Sequence, residues 1–492
     1  MKTVCIMGGG LGGLMTGALL TKEGFRVTVV EKNSHIGGGL QSFRRGKANF
    51  DVGMHLVGGM HEGGQMRRIL RYLGIDSQRY TTPYNDTIVY LGDTPDSITL
   101  PNGREAWIDA FCRRHGGSAE VRRELEEYVD HIYRLTEIEE LFSLSPLKNP
   151  YLDMPTLSAK ELIGQHISSP TLRRELAYTV PLYSGTADSP ALLHSTVNVL
   201  HIEGTHTFAL PSQQLADALA DLIRAAGGEI VTSSEIKAVE TSGRQATAAI
   251  SADGKYSADI FVSDIPVAEL VKLVPKGAFS PAFVKRASEM PYSYSAFSVY
   301  LTLAPHTMRC KRQGYYISYP DTDPWNVTDC EESQWPRNAF MLTNADPDDP
   351  DYAATMTIIC PMDYRMAARF EGHRTDSYRQ WKQRMATAAI SMVEQAVGKV
   401  SYIATETASP ITIHDYFHAP MGAIYGKHPT VLNPALTTIS TNTRLQNLFI
   451  TGQDVNFHGL VGVSLTAILT AESIVGRNVI VNKINEEEKQ TI

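Results

Sequence analysis

The stretch 2–32, KTVCIMGGGLGGLMTGALLTKEGFRVTVVEK, decides the fold, because it contains every part of a nucleotide-binding βαβ unit. A short apolar run, Val4–Met7, suits a buried parallel strand. Glycines follow at Gly8, Gly10 and Gly13. In this spacing the first glycine makes the turn, the second lets the backbone approach a pyrophosphate, and the third lets the helix pack closely on the strand. We therefore predict that this unit binds a dinucleotide.

The residues after the glycines continue the same pattern. Apolar residues recur three and four positions apart, the spacing of one buried helix face: Leu11, Leu14, Met15, Ala18 and Leu19. A second apolar strand, Val27–Val30, then delivers Glu31 about 20 residues past the glycines, where a carboxylate accepts hydrogen bonds from a ribose. NAD and FAD both fit this unit, so the unit alone does not choose between them.

Composition excludes several classes of protein. The 492 residues suggest about three domain-sized units, or fewer if one is interrupted. The net charge of −8, with no polybasic block, argues against nucleic acid as a partner. The five cysteines are far apart, with neither CxxC nor zinc spacing, so we predict no metal site and a reduced, cytoplasmic compartment. The first apolar run is shorter than the roughly 7–15 residues of a signal-peptide core, so we expect no export.

Residues 455–471 carry no Asp, Glu, Lys or Arg and could be mistaken for a membrane span. Asn456, His458 and the glycines make that costly, and the segment is shorter than about 20 apolar residues. We predict a loop that enters a buried helix. The sequence leaves peripheral contact with one face of a membrane open.

Three segments differ in pattern and predict an α/β fold with a discontinuous first domain. Residues 1–60, 206–264 and 441–492 carry the nucleotide-binding pattern, 61–205 are mainly helical, and 265–440 alternate as a mixed sheet with helices. Within 61–205 we predict a strand pair, Thr87–Tyr90 with Ser97–Leu100. A long helix there has one apolar side: Leu125, Val129, Ile132, Leu135, Ile138 and Phe142.

The mixed-sheet segment predicts strands and one long helix, and the nucleotide-binding pattern resumes in 215–263. The predicted strands are Ser295–Leu303, Tyr315–Tyr319, Ala339–Thr343, Thr355–Cys360 and Val400–Glu406. The helix carries Tyr378, Trp381, Met385, Ala388, Met392 and Val397 on one face. In 215–263, a helix is followed by the strand pattern EIVTSSEIKAVE and by a strand at Ala258–Ser263.

The C-terminal part predicts a strand, Leu448–Thr451, a Gly-Gln-Asp turn, a glycine-rich loop and a helix from about Val461. A helix N-terminus carries roughly half a positive charge and free N–H groups. We expect a negative group to bind there.

Together these blocks resemble the FAD-dependent amine oxidase and phytoene desaturase superfamily, and within it the branch of carotenoid isomerases and all-trans-retinol 13,14-reductases (retinol saturases). The blocks are GGGLGGL at 8–14, EK at 31–32, GG at 38–39 with Ser42, FDVGMH at 50–55, GGEI at 227–230 with Ile236, YG at 425–426 and ITGQDVNFHGLVG at 450–462. The resemblance implies a Rossmann-like FAD-binding domain of the glutathione-reductase type, a mixed-sheet substrate domain and a helical insertion. The chain departs from the pattern at 211–213, where Pro-Ser-Gln stands in place of proline and two glycines, and at 37–39, which lack an arginine.

The resemblance also implies which residues bind FAD. The pyrophosphate and ribose residues would be Gly8, Gly10, Leu11, Gly13, Glu31 and Lys32. The flavin and ribityl residues would be Gly38, Gly39, Leu40, Gln41, Gln453, Asp454, Val461, Gly462 and Val463, with Ile236 at the adenine.

The implied activity is that of an FAD-dependent oxidoreductase acting on carbon–carbon bonds of a long apolar polyene or isoprenoid, such as a carotenoid or retinoid. Saturation, desaturation and isomerisation stay open. Because one dinucleotide fingerprint is visible, electrons would pass to or from a transient partner: NAD(P)H, a quinone or a reductase. The proton-handling candidates are His458, then Tyr425, then His55.

Two alternatives use the same fold. A flavin amine oxidase would need an aromatic cage beside the flavin, for which the candidates are Trp325, Trp335 and Tyr425. A non-enzymatic binder of a prenylated or lipid ligand, as in the GDP-dissociation inhibitors, would carry no flavin. The colour of the purified protein separates the enzyme from the binder.

Overall fold

The fold is that of a computed structural model covering residues 1–138, 140–146, 157–372, 375–432, 434–437 and 439–491. Its strands are β1 Thr3–Met7, β2 Arg26–Val30, β3 Ser42–Arg45, β4 Ala48–Asp51, β5 Leu56–Val57, β6 Thr81–Pro83, β7 Asn85–Tyr90, β8 Asp96–Leu100, β9 His206–Phe208, β10 Glu229–Val231, β11 Ile236–Ser242, β12 Gln245–Ser251, β13 Lys255–Tyr256, β14 Ile260–Ser263, β15 Ser295–Leu303, β16 Gln313–Ser318, β17 Asn338–Ala345, β18 Ala353–Met362, β19 Tyr402–Ala408 and β20 Leu448–Ile450.

Its helices are α1 Leu11–Lys22, α2 Gln65–Tyr72, α3 Arg104–Arg114, α4 Ala119–Ile138, α5 Ala159–His166, α6 Pro170–Leu176, α7 Ala191–Gly204, α8 Gln213–Ala225, α9 Val267–Leu273, α10 Pro281–Glu289, α11 Arg365–Ala368, α12 Asp376–Val397, α13 Pro410–Phe417, α14 Pro434–Thr437, α15 Gly459–Val475 and α16 Val479–Thr491.

A five-stranded parallel sheet, in the order β10-β2-β1-β14-β20, joins the two ends of the chain. Its strands are apolar because both faces are covered, as for Ile6, which pairs with Val29 and Val262. Helix α1 packs against α8 and α15. The predicted βαβ unit, the strand at the C-terminal end and the strand before residue 264 are therefore confirmed, and together they form one sheet.

Helix α15 confirms the prediction of a buried helix near the C-terminus. It begins at Gly459, and nearly all of its residues from Leu460 to Ala471 are buried in the protein. In the described parts of the chain, no single helix is both long and apolar enough to span a membrane. One sharply bent pair, 459–475 with 479–490, meets those two criteria together.

A seven-stranded sheet, in the order β19-β15-β18-β17-β16-β7-β8, contains the strands predicted between 295 and 406. The predicted pair β7 and β8 is antiparallel, and β7 also pairs in parallel with β16. The segment 61–205 thus supplies the last two strands on one side of this sheet, with β8 at the edge. Ile88 and Val89 of β7, which has a neighbour on either side, are both buried. The domain boundaries themselves stay a prediction.

Two local predictions differ from the structure. The pattern EIVTSSEIKAVE is divided, since β10 joins the parallel sheet whereas β11 begins a separate antiparallel sheet with β12 and β13. Helix α4 buries Leu125, Val129 and Ile132 as predicted, but it ends at Ile138, so Phe142 lies beyond it in a turn.

Candidate active site

One cavity of about 1190 Å³ runs from the first glycine turn to the seven-stranded sheet. One part of its wall consists of the edge of the parallel sheet, the loops 38–45 and 451–459, and the start of α15. The other part consists of one face of α7 and of side chains from β15, β17 and β18. The parallel strands β1, β2 and β14 all end at this wall, which is where open α/β sheets bind their ligands.

The first and last glycine loops are in contact in this wall. Gly8 and Gly452 both have positive φ angles, of 106° and 93°. A Cβ atom on Gly12 would lie 2.9 Å from the backbone of Gly452 and 2.4 Å from Asp264 Oδ1. Only glycine permits this approach, so Gly12, to which the glycine spacing read from the sequence assigned no role, serves a contact between residues 440 positions apart.

Two helix N-termini face the cavity. Helix α1 begins after Gly10, which has no side chain to cap it, and α15 begins after His458, whose side chain makes no capping hydrogen bond. Leu460, Val461 and Gly462 of α15 line the cavity. The helix dipole at both ends attracts negative groups, so the cavity suits a ligand with two electron-rich parts.

The structure brings the predicted cofactor-binding residues together. All of them line the cavity except Gly13, where a Cβ would lie 2.2 Å from the carbonyl oxygen of Gly8, so Gly13 allows the helix to pack on the strand. Glu31 directly follows β2 at the cavity and accepts hydrogen bonds from the amides of Gly9 (2.7 Å) and Asn33 (2.8 Å). Their individual roles towards FAD stay predictions.

The loop 38–41 is held in place by Asp51. Its Oδ1 atom accepts hydrogen bonds from Ser42 Oγ (2.7 Å) and from the amide of Ser212 (2.8 Å). The hydroxyl of Ser212 lies 2.8 Å from the carbonyl oxygen of Leu40. The serine at 212, where the resembled family has glycine, therefore fixes the backbone that lines the cavity.

Asp264 is a site residue that the sequence analysis missed. It follows β14 and accepts a hydrogen bond from the amide of Gly13 (2.9 Å) at the start of α1. Burial raises the pKa of this carboxyl to about 7, and the nearby carboxylates of Glu31 and Asp454 add to the rise. The sequence contained a signal for it, because Asp264 directly follows a strand. If that strand is parallel to β1, the two strands end at the same edge of the sheet, where the glycines lie.

His458 and Tyr425, the first two proton-handling candidates, lie side by side in the cavity. Their ring centroids are 4.7 Å apart, with the planes tilted by 45°. Burial lowers the pKa of His458 to about 4, helped by the charge of Lys427, and burial raises the pKa of Tyr425. At neutral pH both side chains are uncharged. No described residue forms a hydrogen bond with either ring's polar atoms, which are thus available to a ligand.

His55, the third candidate, also lines the cavity. Burial lowers its pKa to about 4, against the opposing effect of Asp51. All three candidates are therefore brought to one space, and their chemical roles stay predictions.

The two tryptophans considered for an aromatic cage lie elsewhere. Trp335 packs against Phe297, with ring centroids 5.6 Å apart, and Trp325 packs near His194. Neither is among the described residues that line the cavity, whereas Tyr425 is. The structure supplies no tryptophan for a cage of this kind in the described parts of the wall.

Comparison with known proteins agrees with this geometry. The family model described as flavin containing amine oxidoreductase matches residues 11–474. The chain belongs to this family. It is an FAD-dependent oxidoreductase, and the two helix N-termini and the glycine contact described above fit that cofactor.

Individual relatives are more distant. The enzyme is 25% identical to all-trans-retinol 13,14-reductase of Rattus norvegicus over 524 residues, which cover 96% of this chain and 85% of that protein. It is 25% identical to 4,4'-diaponeurosporene oxygenase of Staphylococcus aureus over 287 residues, 54% of this chain and 56% of that protein. The crystal structure of an oxidoreductase from Methanosarcina mazei shares the fold, with a TM-score of 0.66 and 15% identity over 96% of this chain and 100% of that chain.

Proposed function

We propose that this enzyme saturates a carbon–carbon double bond of a long apolar polyene or isoprenoid, of the retinoid or carotenoid class. The observation that carries the proposal is the continuity of the cavity, which passes from the glycine loops into an apolar channel. The channel is lined by Leu193, Val197 and Leu200 of α7 and by Phe340 and Ile359 of the seven-stranded sheet. The retinol reductases among the relatives point to the same substrate class.

The cavity is large enough to suggest that it holds two ligands, FAD and a substrate. Sites for one small molecule measure about 300–1,000 Å³, and this cavity measures about 1190 Å³. Its apolar part has no charged residue on the α7 face, where Leu193, Thr196, Val197 and Leu200 meet the space. A hydrocarbon chain would lie there without leaving a charge unpaired.

Saturation needs a proton donor beside the flavin, and two polar side chains near the glycine loops are placed for this role. Bound FAD supplies hydride transfer to or from carbon, and the protein must supply or accept the accompanying proton. Tyr425 and His458 are both uncharged at neutral pH, and each has a hydrogen to donate. The hydroxyl of Tyr425 is the first candidate to supply the proton that accompanies saturation, with the ring of His458 beside it.

The electron donor would be a transient partner, NAD(P)H, a quinone or a reductase. We also propose that the enzyme works in a reducing compartment and takes its apolar substrate from one face of a membrane. Its five cysteines, all free and separated in the structure, are compatible with that compartment.

Anaerobic photoreduction of the purified holoenzyme tests the proposed reaction. The reduced flavin is mixed with polyenes, retinoids and amines in turn, and its reoxidation is followed by absorbance. We expect a conjugated polyene to reoxidise the flavin and to gain two hydrogens, both as deuterium when the photoreduction and the reaction are run in D₂O. A polyene product of unchanged mass would refute saturation and indicate isomerisation. If only an amine reoxidised the flavin, the proposed substrate class would be refuted.

A further inference from the structure

A buried cluster of four polar side chains lies behind the apolar channel. The carboxylate of Asp86, on β7, accepts hydrogen bonds from Tyr316 (3.1 Å, to Oδ1) and from Tyr178 (3.3 Å, to Oδ2). Its Oδ2 atom also lies 2.5 Å from Nδ1 of His201, on α7. Asp86 itself is 4% exposed and does not line the cavity, whereas His201 does.

The rings of the two tyrosines fix the orientation of His201. Tyr178 and Tyr316 both meet the imidazole edge-on, with centroid distances of 6.2 Å and 6.4 Å. Burial raises the pKa of both tyrosines, so both remain hydroxyl donors to Asp86. A carboxylate only accepts, so the hydrogen between Asp86 and His201 is carried by Nδ1 of the imidazole.

The second nitrogen of His201 is left for a ligand. The side chain of His201 is 9% exposed, and no described residue forms a hydrogen bond with Nε2. When Nδ1 carries the only ring hydrogen, Nε2 is an acceptor. Because His201 lines the cavity, the hydroxyl group of a ligand in the channel can donate to this nitrogen.

The position of His201 makes it the polar end of an apolar wall. Leu193, Val197 and Leu200 precede it on the same face of α7, and eight residues of helix separate Leu193 from His201, a distance of about 12 Å at 1.5 Å per residue. A chain-like substrate lying along this face would therefore meet apolar side chains along its length and one hydrogen-bonding group at one end.

We propose that His201, positioned by Asp86, recognises a hydroxyl group at the end of the substrate's apolar chain. This inference rests on the proposed function, because it specifies which polyenes the channel accepts. The enzyme would prefer a polyene alcohol to the same polyene without a free hydroxyl. Asp86 acts through His201 and is a positioning residue.

Binding measurements at pH 8 with the oxidised holoenzyme test this preference without turnover. Two pairs of probes are titrated by fluorescence quenching: all-trans-retinol with its methyl ether, and β-cryptoxanthin with β-carotene. The variants are His201→Leu, which removes the acceptor, and His201→Gln, which restores one in the same place. His206→Gln is the matched control, because His206 lies five residues further on and is not among the residues that line the cavity.

We expect the wild-type protein and His206→Gln to bind the alcohol of at least one pair roughly tenfold more tightly than its partner, which is the size of one net hydrogen bond. His201→Leu should bind both members equally, and His201→Gln should recover part of the preference. Equal binding by the wild-type protein, or a preference that survives in His201→Leu, would overturn the inference and leave the proposed function standing. If none of the four probes binds, the proposed substrate class fails, and this inference fails with it.

Discussion

Replacing Asp264 by Asn should make FAD binding independent of pH above neutrality. Asp264 accepts a hydrogen bond from the amide of Gly13 at the N-terminus of α1, where the pyrophosphate of FAD is predicted to bind. A second anion at this position disfavours the ionised carboxylate, so its pKa must be higher with FAD bound than the value of about 7 without it. Binding of FAD therefore takes up a proton. The affinity for FAD is therefore highest below pH 7, and it falls as the pH rises through 7.

The magnitude follows from the pKa of the unliganded protein. At pH 9, two units above a pKa of about 7, roughly 1% of Asp264 is protonated. If the bound form keeps its proton, affinity at pH 9 is about 100-fold weaker than at pH 6, or about 2.7 kcal/mol at 1.36 kcal/mol per unit. Asn cannot ionise, yet its amide oxygen can still accept from Gly13. Asp264→Asn should thus bind FAD about tenfold more tightly than the wild-type protein at pH 8.

The assay is a titration of apoprotein with FAD between pH 6 and 9, followed by the quenching of flavin fluorescence. Asp259→Asn is the control, because Asp259 lies at the opposite end of the same strand, where it binds Thr3 at the surface. A wild-type affinity that stays constant across this range would refute the reasoning. The reasoning would also be refuted if the FAD affinity of Asp264→Asn depended on pH as steeply as that of the wild-type protein.

Three further outcomes are expected. Gly13→Ala would place a Cβ 2.2 Å from the carbonyl oxygen of Gly8, so it should lower the free energy of unfolding, measured by urea denaturation, by about 1–3 kcal/mol or more. The control Gly254→Ala should have little effect, because the space around Gly254 is open. Tyr425→Phe and His458→Ala should each slow polyene turnover by roughly 100-fold or more, with normal flavin absorbance, and unchanged turnover would remove that residue from the chemistry. Val197→Phe should narrow the channel and raise KM for a long polyene without loss of flavin, so an unchanged KM would place the substrate elsewhere.

Much of the nucleotide-binding part of the fold could be predicted from the sequence, because its signals are local. The glycines at 8, 10 and 13, the helix face after them and Glu31 lie within one stretch of 30 residues. The structure places Gly8 and Glu31 directly after β1 and β2, and it packs the helix face against residues of these strands. The loop 452–463 was predictable for the same reason. Its turn, glycines and helix are consecutive, and only its partner in space is distant.

The arrangement of the strands in sheets was not predictable, because the residues near a strand in the chain do not indicate which strands lie beside it. Strands β7 and β8 were correctly predicted as a pair, but their place beside β16 depends on residues more than 200 positions away. The pattern through Ile236 continued without a visible break although the chain passes there from one sheet to another. Strand propensity identifies a strand and does not choose between sheets.

The sequence by itself determined that a dinucleotide unit stands at the start of this chain and a ligand-binding helix end near its finish, since both are matters of residue spacing along a few turns of backbone. Only the tertiary structure decided which polar groups meet the ligands. Asp264 reaches Gly13 across 251 positions, and Asp86 reaches His201 across 115. Such contacts arise when separate elements pack together, because a buried carboxyl must find its donors wherever the packing places them.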